Sequence, residues 1–165
     1  DKAGLVTFNE YFDTFVPASK QVGQMQTLLE NLYKQETTFG ETDFSALCGH
    51  LGKHVNKRSF LVLYTNFSNM TSLNRQLVYL QQLARQHRVL VVFFEDADLK
   101  EYIAGKSVTT EDYYRHVIAE KFAFEKRLIV STLKQHGIYS LLTTPDKLSI
   151  DVINKYLEMK SRQLL

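Results

Sequence analysis

Phe60-Leu61-Val62-Leu63-Tyr64 and Val89-Leu90-Val91-Val92-Phe93-Phe94 decide how this chain folds. Neither run alternates apolar with polar residues. A strand with one wet face would alternate, whereas a strand apolar on both faces belongs inside a sheet covered by helices. Between the two runs, Leu73, Leu77, Leu80, Leu83 and Ala84 recur at helical spacing. Strand, helix, strand is a βαβ unit, and its crossover is expected to be right-handed.

The pattern extends in both directions. Downstream, a long helix is predicted over roughly Thr110 to Gln135, carrying Tyr114, Val117, Ile118, Phe122, Leu128, Ile129 and Leu133, with Gly137 as its C′ residue. Ile138 to Leu142 reads as a further core strand, and Thr144-Pro145 turns the chain into a closing helix with Ile150, Ile153, Tyr156 and Leu157. Upstream, Leu5 to Phe8 and Phe12 to Val16 form a hairpin around Asn9-Glu10-Tyr11. Pro17 is expected to end the second strand, and Ser19 to cap a helix bearing Val22, Met25, Leu28, Leu29, Leu32 and Tyr33. After a polar loop at 35–40, Thr42 or Asp43 caps a second helix with Phe44, Leu47, Cys48, Leu51 and Val55 on its apolar stripe. The alternation predicts an α/β fold, a doubly wound and mainly parallel sheet with helices on both faces and an opening β-hairpin. No repeat, low-complexity segment or linker interrupts it, so residues 1–165 are read as one domain.

Bulk composition excludes several function classes. With 165 residues, 44% hydrophobic and 23% charged, the chain resembles an ordinary globular domain. A net charge of +2 implies no strongly basic face and so no nucleic-acid partner. One cysteine, Cys48, allows no internal disulfide. No apolar run approaches the roughly 18 residues that would span a bilayer, and no signal peptide is visible, so the chain is expected to be soluble. Its abrupt start is expected of a piece of a longer protein.

In open α/β sheets ligands bind beyond the carboxyl ends of the strands. Those ends carry Thr65, Asn66, Phe67 and Ser68; Glu95, Asp96 and Asp98; and Thr143 and Thr144, with Glu41-Thr42-Asp43 at the start of a helix. Their oxygens could hold a hard cation, but the same residue types are favoured as helix caps and turn formers, which is the better reading. Glu95, Asp96 and Asp98 resemble an acid–base pair, yet Asp96 is more simply a cap for Leu99 to Ala104. His50 and His54 stand four apart near Cys48, a spacing zinc can use. They lack the intervening Glu of a metalloprotease helix, and Cys48 reads as a buried, inert thiol. No Gly-rich phosphate loop exists. The aromatic run from Tyr113 to Phe124 reads as helix packing rather than a platform for bases. No catalytic residue is assigned.

The order Gly4 to Phe8, Pro17, Thr42-Asp43 opening a helix, then Arg58 to Phe67, resembles the second half of a von Willebrand factor A domain. Leu83 to Val92 and Val152 to Lys160 narrow the resemblance to the domain of unknown function 58 family, bacterial proteins with such a domain at the C-terminal end. The resemblance implies a metal-ion-dependent adhesion site. Its Asp-x-Ser-x-Ser loop is missing here, its Thr maps to Thr42, and its Asp maps to Asn66, which keeps an oxygen but loses the charge. A vestigial site that holds no divalent ion in this chain is therefore expected, with Mg²⁺ reserved for the full-length protein. The family further implies an N-terminal membrane anchor in the parent, a cytoplasmic position for this domain and a MoxR-type AAA ATPase as partner.

These readings combine into a non-enzymatic protein-binding module whose partner surface is Thr42, Asp43, Asn66, Ser68 and Asp96. The alternative is a small-molecule or nucleotide-binding α/β domain, or an enzyme, at the same strand ends. The resemblance further implies a central first strand between Leu5–Phe8 and Phe60–Tyr64, which this chain is expected to lack. Either the hairpin pairs there directly or a second copy does, giving a homodimer.

Overall fold

A computed structural model describes residues 1–10, 12–36, 42–67, 69–95, 103 and 110–164. The chain divides into two compact units, residues 1–56 and 57–165, and each is described by itself.

In the first unit, β1 (Ala3–Phe8) and β2 (Phe12–Ser19) form a two-stranded antiparallel sheet. Pro17 does not end β2, as expected; the strand runs on to Ser19. The register explains how it does so. Ala3 pairs with Ser19 and Leu5 with Val16, so Pro17 and Ala18 together oppose Gly4 in a bulge. A bulge tolerates a residue without an N–H. Gly4 is required there, because a Cβ would lie 2.7 Å from the Val16 carbonyl oxygen and 2.9 Å from the Ala18 nitrogen. Ser19 is consequently not the N-cap of α1 (Gln24–Tyr33); that position belongs to Gly23 at φ 91°. The Gln24 side chain holds the helix start to the hairpin by donating to the carbonyls of Ala3, at 2.8 Å, and Pro17, at 3.0 Å. None of the apolar residues of α1 is buried.

The helix α2 (Phe44–His54) follows the sequence reading. Asp43 is its cap, accepting from the backbone N–H groups of Ser45 (2.7 Å) and Ala46 (3.3 Å). Phe44, Leu47, Cys48 and Leu51 are buried, and the Phe44 ring meets Phe8 edge to face with centroids 5.4 Å apart.

The second unit holds β3 (Phe60–Tyr64), α3 (Met70–Gln86), β4 (Arg88–Phe94), α4 (Thr110–Gln135), β5 (Tyr139–Thr143) and α5 (Leu148–Ser161). Its three strands are parallel, in the order β3-β4-β5, with an unbroken register from Phe60 opposite Arg88 to Phe94 opposite Thr143. Because the sheet grows in one direction, right-handed crossovers put α3 and α4 on the same face, and these helices do pack together. α5 packs on β5, and its Tyr156 ring reaches Phe60 with centroids 5.7 Å apart. Covered on both faces, Leu90, Val91, Val92 and Phe93 are at most 1% exposed. Leu63 was expected to share that burial but is only half-buried, since β3 is an edge strand among the described residues.

The C-terminal end of α4 is set by local chemistry. Gly137 takes φ 71°, Ile138 N–H donates to the Leu133 carbonyl and Gly137 N–H to that of Lys134. This is a Schellman cap, and Leu133 and Ile138, the two positions that usually meet in that motif, are both buried. The aromatic run at the other end of α4 does not pack as expected. Tyr113, Tyr114, Phe122 and Phe124 are all half or more exposed.

Candidate functional site at the strand ends

The carboxyl ends of the three parallel strands meet at one edge of the second unit. Beyond β3, Thr65 N–H donates to the Val92 carbonyl at 3.0 Å; beyond β4, Glu95 N–H donates to the Thr143 carbonyl at 2.9 Å. These bonds continue the ladders past the strands and fix where Asn66, Glu95 and Thr144 emerge.

Asn66 does not stand alone there. Lys126, projecting from α4, donates its ammonium to Asn66 Oδ1 at 2.6 Å and to the Phe67 carbonyl at 2.9 Å. The same Nζ lies 5.7 Å from the centroid of the buried Phe93 ring. A cation over an aromatic face is favourable, and the more so as it is desolvated. The ammonium is thus clamped between an amide oxygen, a main-chain carbonyl and a π face. A divalent cation does not fit beside Asn66 in this arrangement, because the oxygen offered to it already faces a positive charge.

On the neighbouring strand, the buried Thr143 hydroxyl donates to the Asp151 carboxylate in the first turn of α5. An acid there is also favoured by the helix dipole. Neither Lys126 nor Asp151 was singled out from sequence. Lys126 stands between Glu125 and Arg127 in a charged run of a helix, and Asp151 in a helix first turn; both patterns are common on solvated faces and carry no site signal alone.

Thr42 and Asp43 belong to the first unit. The Asp43 carboxyl is held below the usual carboxylate range by its hydrogen bonds with Ser45, and then with Ala46. Its chemistry is spent on capping. Ser68, Asp96 and Asp98, with Glu41, lie outside the described residues.

His50 and His54 stack with ring centroids 4.2 Å apart, and Phe15 lies 5.4 Å from each. Burial pushes the Cys48 thiol up to about 11, with the Asp43 charge adding to it, so the thiol stays protonated at neutral pH. No group of three or more His, Cys, Asp or Glu side chains among the described residues could hold a metal. No helix among them is long and apolar enough to cross a membrane. No family model, curated protein or solved structure matches this chain.

Proposed function

We propose that this chain is a protein-binding module that carries out no chemistry of its own. The observation behind the proposal is the apolar face of α4. Tyr114, Ile118 and Phe122 follow one another at four-residue spacing, with Val117, Phe124 and Leu128 beside them, and all six are at least 40% exposed. Lys121 and Glu125 share this side of the helix, but a concentration of exposed apolar side chains of this kind marks interaction sites. Its aromatic content also suits a protein interface, where such residues are enriched.

In this reading the α/β unit is a von Willebrand factor A-like, doubly wound domain of the domain of unknown function 58 type, and the partner is a MoxR-type AAA ATPase. The parent protein is membrane-anchored. The degenerate adhesion site enters through Asn66, whose oxygen is met by Lys126 in place of a metal ion. The test is isothermal titration of the 165-residue chain against a MoxR-type ATPase, with and without Mg²⁺. Saturable binding is expected. Ile118→Asp and Phe122→Asp, both at exposed positions, should abolish it with the circular dichroism spectrum unchanged. No binding by the wild-type chain, or equal binding by the charged variants, overturns the proposal.

A further inference from the structure

The free edge of β3 carries its own specification for a partner. Ser59 C=O accepts from Arg88 N–H, and Thr65 N–H donates to the Val92 carbonyl. In a parallel pair, alternate residues direct both main-chain groups to the same neighbour. Odd-numbered residues of β3 therefore bond to β4, and Phe60, Val62 and Tyr64 turn their N–H and C=O groups outward. Among the described residues, β3 has no strand on that side. Charged side chains, proline and bulges, which often blunt an edge, are missing from β3 itself.

The sequence of this edge is close to a palindrome. We infer that β3 pairs antiparallel with β3 of a second copy about a two-fold axis through Val62, joining two three-stranded sheets into one. Val62 then opposes Val62 of the second copy, Leu61 opposes Leu63, and Phe60 opposes Tyr64. Aromatic and aliphatic pairs of this kind are among the favourable cross-strand combinations. The flanks match too: Ser59 meets Thr65 and Arg58 meets Asn66, with no like charges opposed. The hydrogen-bonding phase agrees independently. Since the even-numbered residues face outward, Val62 with Val62 and Phe60 with Tyr64 fall on hydrogen-bonded positions, and every outward group of the strand finds its complement. The opposite edge offers no such match. On β5, Glu95 N–H bonding to the Thr143 carbonyl places Ser140 and Leu142 outward. The equivalent operation sets Ser140 against Leu142 and Tyr139 against Thr143. This inference concerns a surface separate from the α4 face and does not depend on the partner proposed for it.

Sedimentation velocity over a concentration series of the 165-residue chain should show a reversible monomer–dimer equilibrium. Val62→Pro removes one outward N–H, which an edge strand tolerates without losing its bonds to β4. It should weaken the dimer at least about tenfold, with the dichroism spectrum retained. The second readout does not depend on that variant folding. In a Cys48→Ala background, Val62→Cys places two thiols across the axis with Cα atoms about 5.5 Å apart, inside the span a disulfide bridges. Mild oxidation should cross-link Val62→Cys chains rapidly, and Leu61→Cys chains slowly unless mixed with Leu63→Cys chains. A strict monomer at high concentration overturns the inference. So does a dimer in which Val62→Cys cross-links no faster than Leu61→Cys.

Discussion

β3 and β4 are nearly indistinguishable as strings of amino acids, yet they lead different lives. Both are continuous apolar runs. β4 has a strand on each side and helices over both faces, and Leu90, Val91 and Phe93 are fully buried. Among the described residues β3 has one neighbouring strand, its residues 60–63 are half-buried, and Tyr64 is 55% exposed. Composition told how apolar each strand is. Place in the strand order decided how much of that surface is removed from water, and hence what each residue contributes.

That contrast can be measured directly. Leu90→Ala should cost about 2–5 kcal/mol, from lost transfer energy plus a cavity in a site that cannot collapse. Leu63→Ala, with a side chain already partly wet, should cost roughly 1 kcal/mol less than the low end of that range or smaller still. Urea denaturation of the two variants checks both. Equal losses would mean that β3 is as enclosed as β4 in solution, which is also what pairing of its free edge would produce. The comparison should therefore be made at concentrations where sedimentation finds a monomer.

The strand ends sharpen the contrast further. The segment following β3 is tied to α4 by Lys126 through Asn66, Phe67 and the ring of Phe93. Lys126→Met keeps most of the stem and removes the ammonium, so about 1 kcal/mol of stability should be lost. Amide exchange should rise at Asn66 and Phe67 while β4 stays protected. Uniformly unchanged exchange would show that the clamp does not hold the segment.

The smallest expected effect lies at the opposite end of β4. His87, just before Arg88, is 2% exposed, and neither ring nitrogen has a hydrogen-bond partner among the described residues. Burial holds its pKa below the usual histidine value of 6.5. The neutral ring is therefore the form the fold accepts. As pH falls below 6.5 the unfolded chain takes up a proton that the folded chain refuses, and stability declines until the folded pKa is reached. Above that window the group contributes no pH dependence. Denaturation midpoints measured from pH 7.5 to pH 5 should fall for the wild type. His87→Leu should remove part of that slope, the remainder including His50, whose pKa burial also lowers, with His54 and Lys53 adding to the effect. Identical slopes for the two proteins would remove His87 as a contributor.

How much was legible in the sequence depends on whether the signal was local. Helix α4 runs from Thr110 to Gln135 as its periodicity implied, because a cap such as Gly137 and a run of apolar spacing are written in neighbouring residues. Asp43 as the cap of α2 is of the same kind. The Pro17 reading failed because proline breaks an interior ladder but not a bulge, and the bulge was set by Gly4 on the facing strand. The aromatic residues of α4 were read as packed because an apolar face says that burial is wanted, not that this chain supplies the cover. Asn66 was picked out for its oxygen, while the ammonium that takes that oxygen came from Lys126, sixty residues away in sequence.

Sequence alone determined the parallel βαβ character, the span of α4 and the caps at Asp43 and Gly137, since these follow from the chemistry of residues within a few positions of one another. Tertiary structure alone decided that β4 lies inside and β3 outside. It also decided that Lys126 closes on Asn66, and that among the described residues no strand pairs with the outward edge of β3. Those outcomes depend on which distant segments meet, and no periodicity within a segment encodes its neighbours.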